Sequence, residues 1–230
     1  FKIGKSLQNL QENEDAIKEY DQVINKSLDS IWIRKAIFEK AYIYFIQEQF
    51  SESNNSIASL DRLRNQGDIE FKSKFISGLN FAATHNWNMY DSTKSALFRL
   101  NDKNHFKYFD LESMNYLEQN GKSLQTKNKY LAGFLSGVIP GAGKLYINNW
   151  GDALYSFLMV GIASYLAYDG FHKSGISSIK GWTFSVVAGI LYSGDVYGSV
   201  QGAEEYNHRT EREYRDAILE FGKKQVKILE

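Results

Sequence analysis

Few side chains in this 230-residue chain have the type and spacing to do chemistry. Gly141-Ala142-Gly143-Lys144 invites comparison with a phosphate-binding loop. Such a loop needs glycine at 138 for the backbone to turn onto a phosphate, and Ser or Thr at 145 for the metal; here they are Val138 and Leu145. The histidines, His85, His105, His172 and His208, have no paired ligand spacing. There is no cysteine, hence no thiolate nucleophile, thiolate zinc site or disulfide framework. No Gly-x-Ser-x-Gly elbow occurs. The sequence therefore predicts a non-enzyme with no cofactor, no metal and no evident small-molecule substrate. What remains is Lys144, Asp152 and Asp195, charges set in a stretch that otherwise avoids them.

That stretch divides the chain. Lys+Arg and Asp+Glu are 27 each, so the formal charge is zero, which argues against nucleic acid as a partner. The mean hydropathy of −0.41 reads as a plain water-soluble protein. Yet residues 131–202 hold only six charges (Lys144, Asp152, Asp169, Lys173, Lys180 and Asp195), 13 of the 18 glycines and the single proline, Pro140. The sequence thus predicts three parts: a helical module over 1–130, an apolar module over 131–202, and a charged tail over 203–230.

The apolar module reads as membrane helices. Ala153–Tyr168 carries no charge, and 181–203 carries only Asp195. About 20 apolar residues cross a bilayer, so the first run is short and the second is interrupted. Residues 131–150, broken at Pro140, read as a re-entrant or turn segment. Gly194, Gly198 and Gly202 recur every four residues, as do Gly133, Gly137 and Gly141; such stripes let helices pack closely in lipid. Trp150, Trp182, Tyr130, Tyr146 and Tyr168 stand near the ends, as interfacial aromatics do. Polar groups in such a setting are functional candidates. Asp195 either faces Lys144 or the Asn148–Asn149 amides across the helix pair, or lies solvated at headgroup level. The competing reading of the module is a water-soluble helical core.

The first 130 residues show helical periodicity. Polar Gln11–Asp15 separates two short helices, and polar Gln47–Asn55 separates the next two. Gly4, Ala16, Tyr20 and Val23 are spaced by 12, 4 and 3, and so are Ala41, Ser53, Ile57 and Leu60, 37 residues on. A third unit, near 67–100, keeps Gly78 and Leu97 but has Lys94 where an apolar residue is expected. A further helix is expected over about 105–124. An irregular helical bundle is the alternative to repeats.

The spaced positions, with Asn13–Tyr20 (NEDAIKEY), resemble the tetratricopeptide repeat over some 60–100 residues. The unit is three residues longer than usual, and the repeat proline is missing from the two better copies. The resemblance implies helix pairs stacked as a short solenoid with a groove for a partner protein or peptide, needing a neighbour to cap it, for which the apolar module is the expected candidate. Leu131–Phe157 resembles a group of small bacterial two-helix membrane proteins with a Pro-Gly-x-Gly-x-x-Tyr turn, here Pro140, Gly141, Gly143 and Tyr146, followed by Gly151-Asp152. Asp195–Asn207 is similar to the end of their second helix, where many members have Asn for Asp195. That resemblance implies an architecture and no reaction.

The tail alternates acids and bases at helical spacing: Glu205–Arg209, Glu211–Arg215, Arg212–Asp216 and Glu220–Lys224. Tyr214, Ile218, Leu219 and Phe221 give it an apolar face. The expected fold is all-α: a short α-solenoid, a glycine-rich membrane hairpin and an amphipathic helix. The expected function is a membrane-anchored scaffold or adaptor in a bacterial envelope complex, its partners being other proteins of that complex and the bilayer. The alternatives are a transport or membrane-assembly component using the intramembrane polar residues, and a soluble helical adaptor. The candidate residues are Lys144, Asp152, Asp195, Gly194, Gly198, Gly202, Pro140, Gly141, Gly143 and Tyr146. Arg209, Arg212 and Arg215 after the second span argue for cytoplasmic repeats. The resemblance to signal-bearing relatives, with Phe1 as first residue, argues for an inner-membrane protein of a Gram-negative cell with periplasmic repeats.

Overall fold

The computed structural model describes residues 1–63, 67–104 and 109–229. The fold is all-α, with no strand among the described residues. The helices are α1 (Lys2–Asn9), α2 (Asn13–Lys26), α3 (Ser30–Ile46), α4 (Phe50–Asp61), α5 (Asp68–Ala83), α6 (Trp87–Asn104), α7 (Leu111–Lys122), α8 (Lys129–Val138), α9 (Ala142–Tyr146), α10 (Trp150–Ser174) and α11 (Ile179–Ile228). They form two compact units, 1–123 with 213–230, and 124–212. The tail is therefore not a separate part. It is the far end of α11, a single 50-residue helix that contributes to both units.

In the first unit, α1/α2, α3/α4 and α5/α6 are three helix hairpins. Their turns carry Gln11, Glu48 and His85, each in the left-handed region and each 37 residues from the last. At each turn an amide bonds the carbonyl five residues back: Glu12 to Leu7, Gln49 to Tyr44 and Asn86 to Phe81, at 3.0, 2.9 and 2.8 Å. The sequence placed the second turn across 47–55, but Phe50 already opens α4.

The spaced residues lie where paired helices meet. A Cβ on Gly4 would stand 2.8 Å from the Tyr20 ring, so only glycine admits that ring. Ser53 Oγ donates to the Ala41 carbonyl at 2.8 Å. Asn80, fully buried, donates to Ser53 Oγ and Asn54 Oδ1 at 2.9 and 3.0 Å, tying the third hairpin to the second.

The core is aromatic and aliphatic, with Phe45, Phe71, Phe75, Leu79 and Leu97 essentially sealed from solvent. Two further segments close it. One is α7, which starts at Leu111; the expected start at His105 lies outside the described residues. The other is 213–228 of α11, whose Tyr214, Ile218, Leu219 and Phe221 are all buried. Phe221 meets Phe75 edge-on at 5.4 Å, and Tyr214 stacks on His85 at 5.8 Å. The core of the hairpin unit is thus completed by the chain's own C-terminal segment. Near the end of α11, Arg212 bonds Glu205 at 2.9 Å, and Arg215 reaches Glu48 at 3.7 Å.

Lys94, out of place in the repeat pattern, is paired by α7. It hydrogen-bonds Glu118, which also accepts from Lys122 at 2.6 Å. Burial pushes the Glu118 carboxyl up, but the two ammoniums outweigh it and hold the group below its ordinary 4.5. A depressed carboxylate stabilises the fold above its unfolded value, and that contribution is lost as pH falls through the folded value. The urea midpoint should therefore drop as pH falls below 4.5. Glu118→Gln should be the weaker protein at about pH 7 and should approach the wild type at about pH 3. A wild-type advantage that stays constant across this range would contradict the pairing.

In the second unit, Asn128 caps α8, accepting from the amides of Tyr130 and Leu131. A tight turn over 139–141 leads to the short α9, and α10 and α11 follow as a long hairpin. The inward positions of α10 are small: Ala153, Ser156, Val160, Ala163, Ala167 and Gly170, at alternating spacings of three and four. At Gly170 a Cβ would lie 2.8 Å from the Cα of Gly181, so the two helices nearly touch backbone to backbone. Phe171 meets Trp182 edge-on beside this crossing, and Lys180 bonds Asp169 at 2.7 Å. No helix among the described residues is long and apolar enough to cross a membrane. The spans expected from the sequence fall short because one side of each helix is given to Ser, Gly, Ala and Asp, while the large apolar residues occupy the other.

Candidate functional site

Four helices of the second unit, α8 to α11, bring polar side chains to one buried point. Asp195 on α11 is 3% exposed. Its Oδ2 accepts from the Gly141 amide at 2.7 Å, and its Oδ1 lies 3.1 Å from Lys144 Nζ. Lys144 Nζ donates to Ser156 Oγ on α10 at 2.6 Å. One turn along α11, Ser199 Oγ shares a hydrogen bond of 2.7 Å with Ser136 Oγ on α8, which also accepts from the Gly143 amide at 3.0 Å. Of the alternatives for Asp195, the structure has it facing Lys144. Asn148 stands in a left-handed turn, and Asn149 caps α10.

The turn makes this possible. Gly141 has φ +85°, and a Cβ there would stand 2.3 Å from the Ala153 carbonyl oxygen. A Cβ on Gly143 would stand 2.0 Å from the Ala132 carbonyl oxygen. Both positions therefore require glycine, which lets α9 sink onto α8 and α10 until its amides reach Ser136 and Asp195. Pro140 lies within the turn and is half-buried.

Around this knot the other candidates separate. A Cβ on Gly198 would stand 3.8 Å from Lys144 Cε, an ordinary contact, and one on Gly202 would press Ile147 at 2.6 Å. Gly194 is exposed, and a Cβ there would meet nothing within 4 Å, so it is not a packing position. Asp152 also stands apart. It is exposed and exchanges bonds with Asn149, whose Nδ2 donates to it at 2.7 Å while its own amide donates to Asn149 Oδ1 at 3.3 Å. That is a reciprocal cap at the start of α10, where a carboxylate also suits the helix dipole. Tyr146 belongs to a second anchor. Its hydroxyl accepts from the Asn128 amide at 3.1 Å, and Lys127 Nζ sits 4.9 Å from its ring centre. Beside it Asn207 accepts from the Lys127 amide and donates to the Lys127 carbonyl, at 2.7 and 2.9 Å.

Sequence reasoning missed Ser136, Ser156, Ser199 and Asn207. The one available signal was Ser199, four residues after Asp195 on the same helix face. Chemically the knot is closed: the carboxylate, ammonium and hydroxyls bind one another. Its evident physical effect is to pin the 139–146 segment to α10 and α11. Among the described residues, no cluster of three or more His, Asp or Glu is placed to hold a metal ion.

The outer surface is the opposite of the inside. Leu154, Tyr155, Phe157, Ile162 and Tyr165 on α10 are exposed, as are Trp182, Val186, Ile190 and Tyr197 on α11. Small and polar side chains face in and large apolar ones face out.

The fold and site define a class: stacked helix hairpins joined through a long shared helix to a glycine-seamed helical unit with a buried ion pair. Compared with protein families, curated proteins and solved structures, the chain shows no match to any.

Proposed function

We propose that this protein is a non-enzymatic, membrane-anchored adaptor. The second unit seats in a bilayer by its apolar exterior, and the stacked hairpins hold a partner protein of an envelope complex. The observation that carries this reading is the inverted arrangement of the second unit. An exposed apolar surface running along two long helices needs cover, and lipid covers it with no directional demands. In lipid the drive to bury large side chains inward vanishes, and small residues at the helix contact take over. Exposed Trp150, Tyr168 and Trp182 suit the interface between headgroups and tails. The resemblance to two-helix membrane modules and tetratricopeptide repeats supports this reading, and with it a bacterial inner membrane with periplasmic repeats as the proposed location. The closed Lys144–Asp195 pair serves assembly in this scheme, rather than a transport path.

The test is extraction. Expressed in bacteria, the chain should sediment with membranes, resist high salt and alkaline carbonate, and be released by detergent. In vesicles of brominated lipid its tryptophan fluorescence should be quenched, and Trp150→Phe with Trp182→Phe should remove most of that quenching. A protein that stays in solution after high-speed centrifugation without detergent overturns the reading.

A further inference from the structure

The apolar exterior of the second unit is not smooth. Along α10 it carries two hollows, of about 480 and 270 Å³. The larger lies between the turn with α9 and the start of α10, where Ile139, Pro140, Leu145, Trp150 and Leu154 line it. The smaller lies further along α10, against Gly161, Ile162 and Tyr165. Phe157, 54% exposed, lines both, so the two meet at its ring and run on as one trough. Among the described residues, no charged side chain lines either hollow, and the Trp150 indole and the Tyr165 hydroxyl are the only side-chain hydrogen-bonding groups there. At Gly161 a Cβ would meet nothing within 4 Å, so its missing side chain leaves a slot that no neighbour fills. Gly170 on the same helix differs, since a Cβ there would lie 2.8 Å from the Cα of Gly181.

The trough also has a direction and a length. A helix rises about 1.5 Å per residue, so Trp150 and Tyr168, both exposed, stand about 27 Å apart along α10. The hydrocarbon core of a bilayer is about 30 Å thick, so these two aromatics fit its opposite interfaces with α10 along the normal. From Trp150 to Gly161 the trough then covers about 16 Å, close to the depth of one leaflet, about 15 Å.

We propose that this trough holds one acyl chain of a membrane phospholipid, entering beside Trp150 and ending at Gly161. A hydrocarbon chain makes no hydrogen bonds, and the lining between Trp150 and Gly161 asks for none from side chains. It also lies along the bilayer normal, as the trough does, and has the depth of one leaflet. A partner helix, about 10–12 Å across with its side chains, is wider than a slot left by one absent side chain. The Trp150 indole N–H stands at the level of the lipid's ester and phosphate oxygens, acceptors that suit an amphipathic ring. The proposal rests on the anchor reading, and adds to general lipid cover one lipid held in place.

Full-length protein is extracted from bacterial membranes in mild detergent, washed, and weighed by native mass spectrometry. The expected spectrum shows one phospholipid per chain that survives removal of the detergent. Gly161→Leu fills the slot from an open position and should abolish the bound lipid with no change in the circular dichroism melt. Gly194→Leu on α11, equally open and outside the trough, should leave the lipid in place. In vesicles, phosphatidylglycerol with a diazirine near the end of one acyl chain should label 157–161 on irradiation. The same lipid with the diazirine near the ester should label Trp150 and Leu154. A wild-type chain that carries no lipid overturns the proposal, as does a fatty-acid mass in place of a phospholipid. So does equal loss in the two glycine variants, or even labelling over the exteriors of α10 and α11. A dimer that Gly161→Leu breaks, with no lipid retained, also overturns it and makes the trough a contact between copies. Membrane sedimentation without a retained lipid leaves the anchor reading standing; a chain that never sediments yet holds a phospholipid through Gly161 defeats the anchor reading alone.

Discussion

Asp195→Leu should destabilise the second unit by about 3–5 kcal/mol, the cost of leaving a buried partner charge uncompensated. The substitution strands two groups at once. The Gly141 amide loses its acceptor, and Lys144 keeps an ammonium 17% exposed with Ser156 as its remaining hydrogen-bond partner. The 139–146 segment should come loose, seen as faster hydrogen exchange at Gly141 and Gly143. Asp195→Asn should fall between, because an amide oxygen still accepts from Gly141 while the charge pairing is gone. The diagnostic comparison is the double variant Asp195→Leu/Lys144→Leu. With both charges gone, burial costs less, so it should be more stable than Asp195→Leu alone. Melting temperatures of residues 124–212 in detergent, followed by exchange, decide the matter. An unchanged melt for Asp195→Leu would mean that the pair does not hold the turn.

What could be read from the sequence follows from how local the determinants are. The hairpins were legible because a small residue opposite a ring, Gly4 against Tyr20, leaves a fixed spacing within one helix pair. Lys94 was illegible because its partner Glu118 sits on the next helix, 24 residues away. Lys144 and Asp195 stood out as charges in an apolar stretch, but the pairing needs the register of elements 51 residues apart, which composition does not set. Asp152 looked equivalent to them and is not, because its neighbour Asn149 draws it into a local cap. The glycine stripe misled at one end. Its i+4 row is inclined to the helix axis, so Gly198 and Gly202 meet neighbours while Gly194 has already turned away. The serines were hidden because a helical serine usually bonds its own backbone, as Ser185 and Ser193 do here. The apolar face of the tail was plain, yet nothing in the sequence said which surface it would cover.

That face now has a measurable consequence. A chain ending at residue 212 should lose cooperative folding of the first unit. The removed segment contributes Tyr214, Ile218, Leu219, Phe221 and Val226 to the core, all buried. Each such side chain contributes about 1.5–3 kcal/mol through burial, against a total stability of about 5–15 kcal/mol for a domain. Its packing is close: a Cβ on Gly222 would press to 2.5 Å from the Phe45 ring, and one on Gly121 to 2.2 Å from the Tyr214 hydroxyl. Losing it opens the ends of α3, α5 and α7 to water together. Urea unfolding, followed by Trp32 and Trp87 fluorescence with the second-unit tryptophans changed to phenylalanine, should show a sharp transition for the full chain and a broad, shallow one for the shortened chain. Ile218→Ala should lower the full chain's stability by about 2–5 kcal/mol, in line with a sealed aliphatic side chain. A solvated, detachable helix predicts no shift in either case, so an unchanged midpoint would remove 213–229 from the core of the first unit.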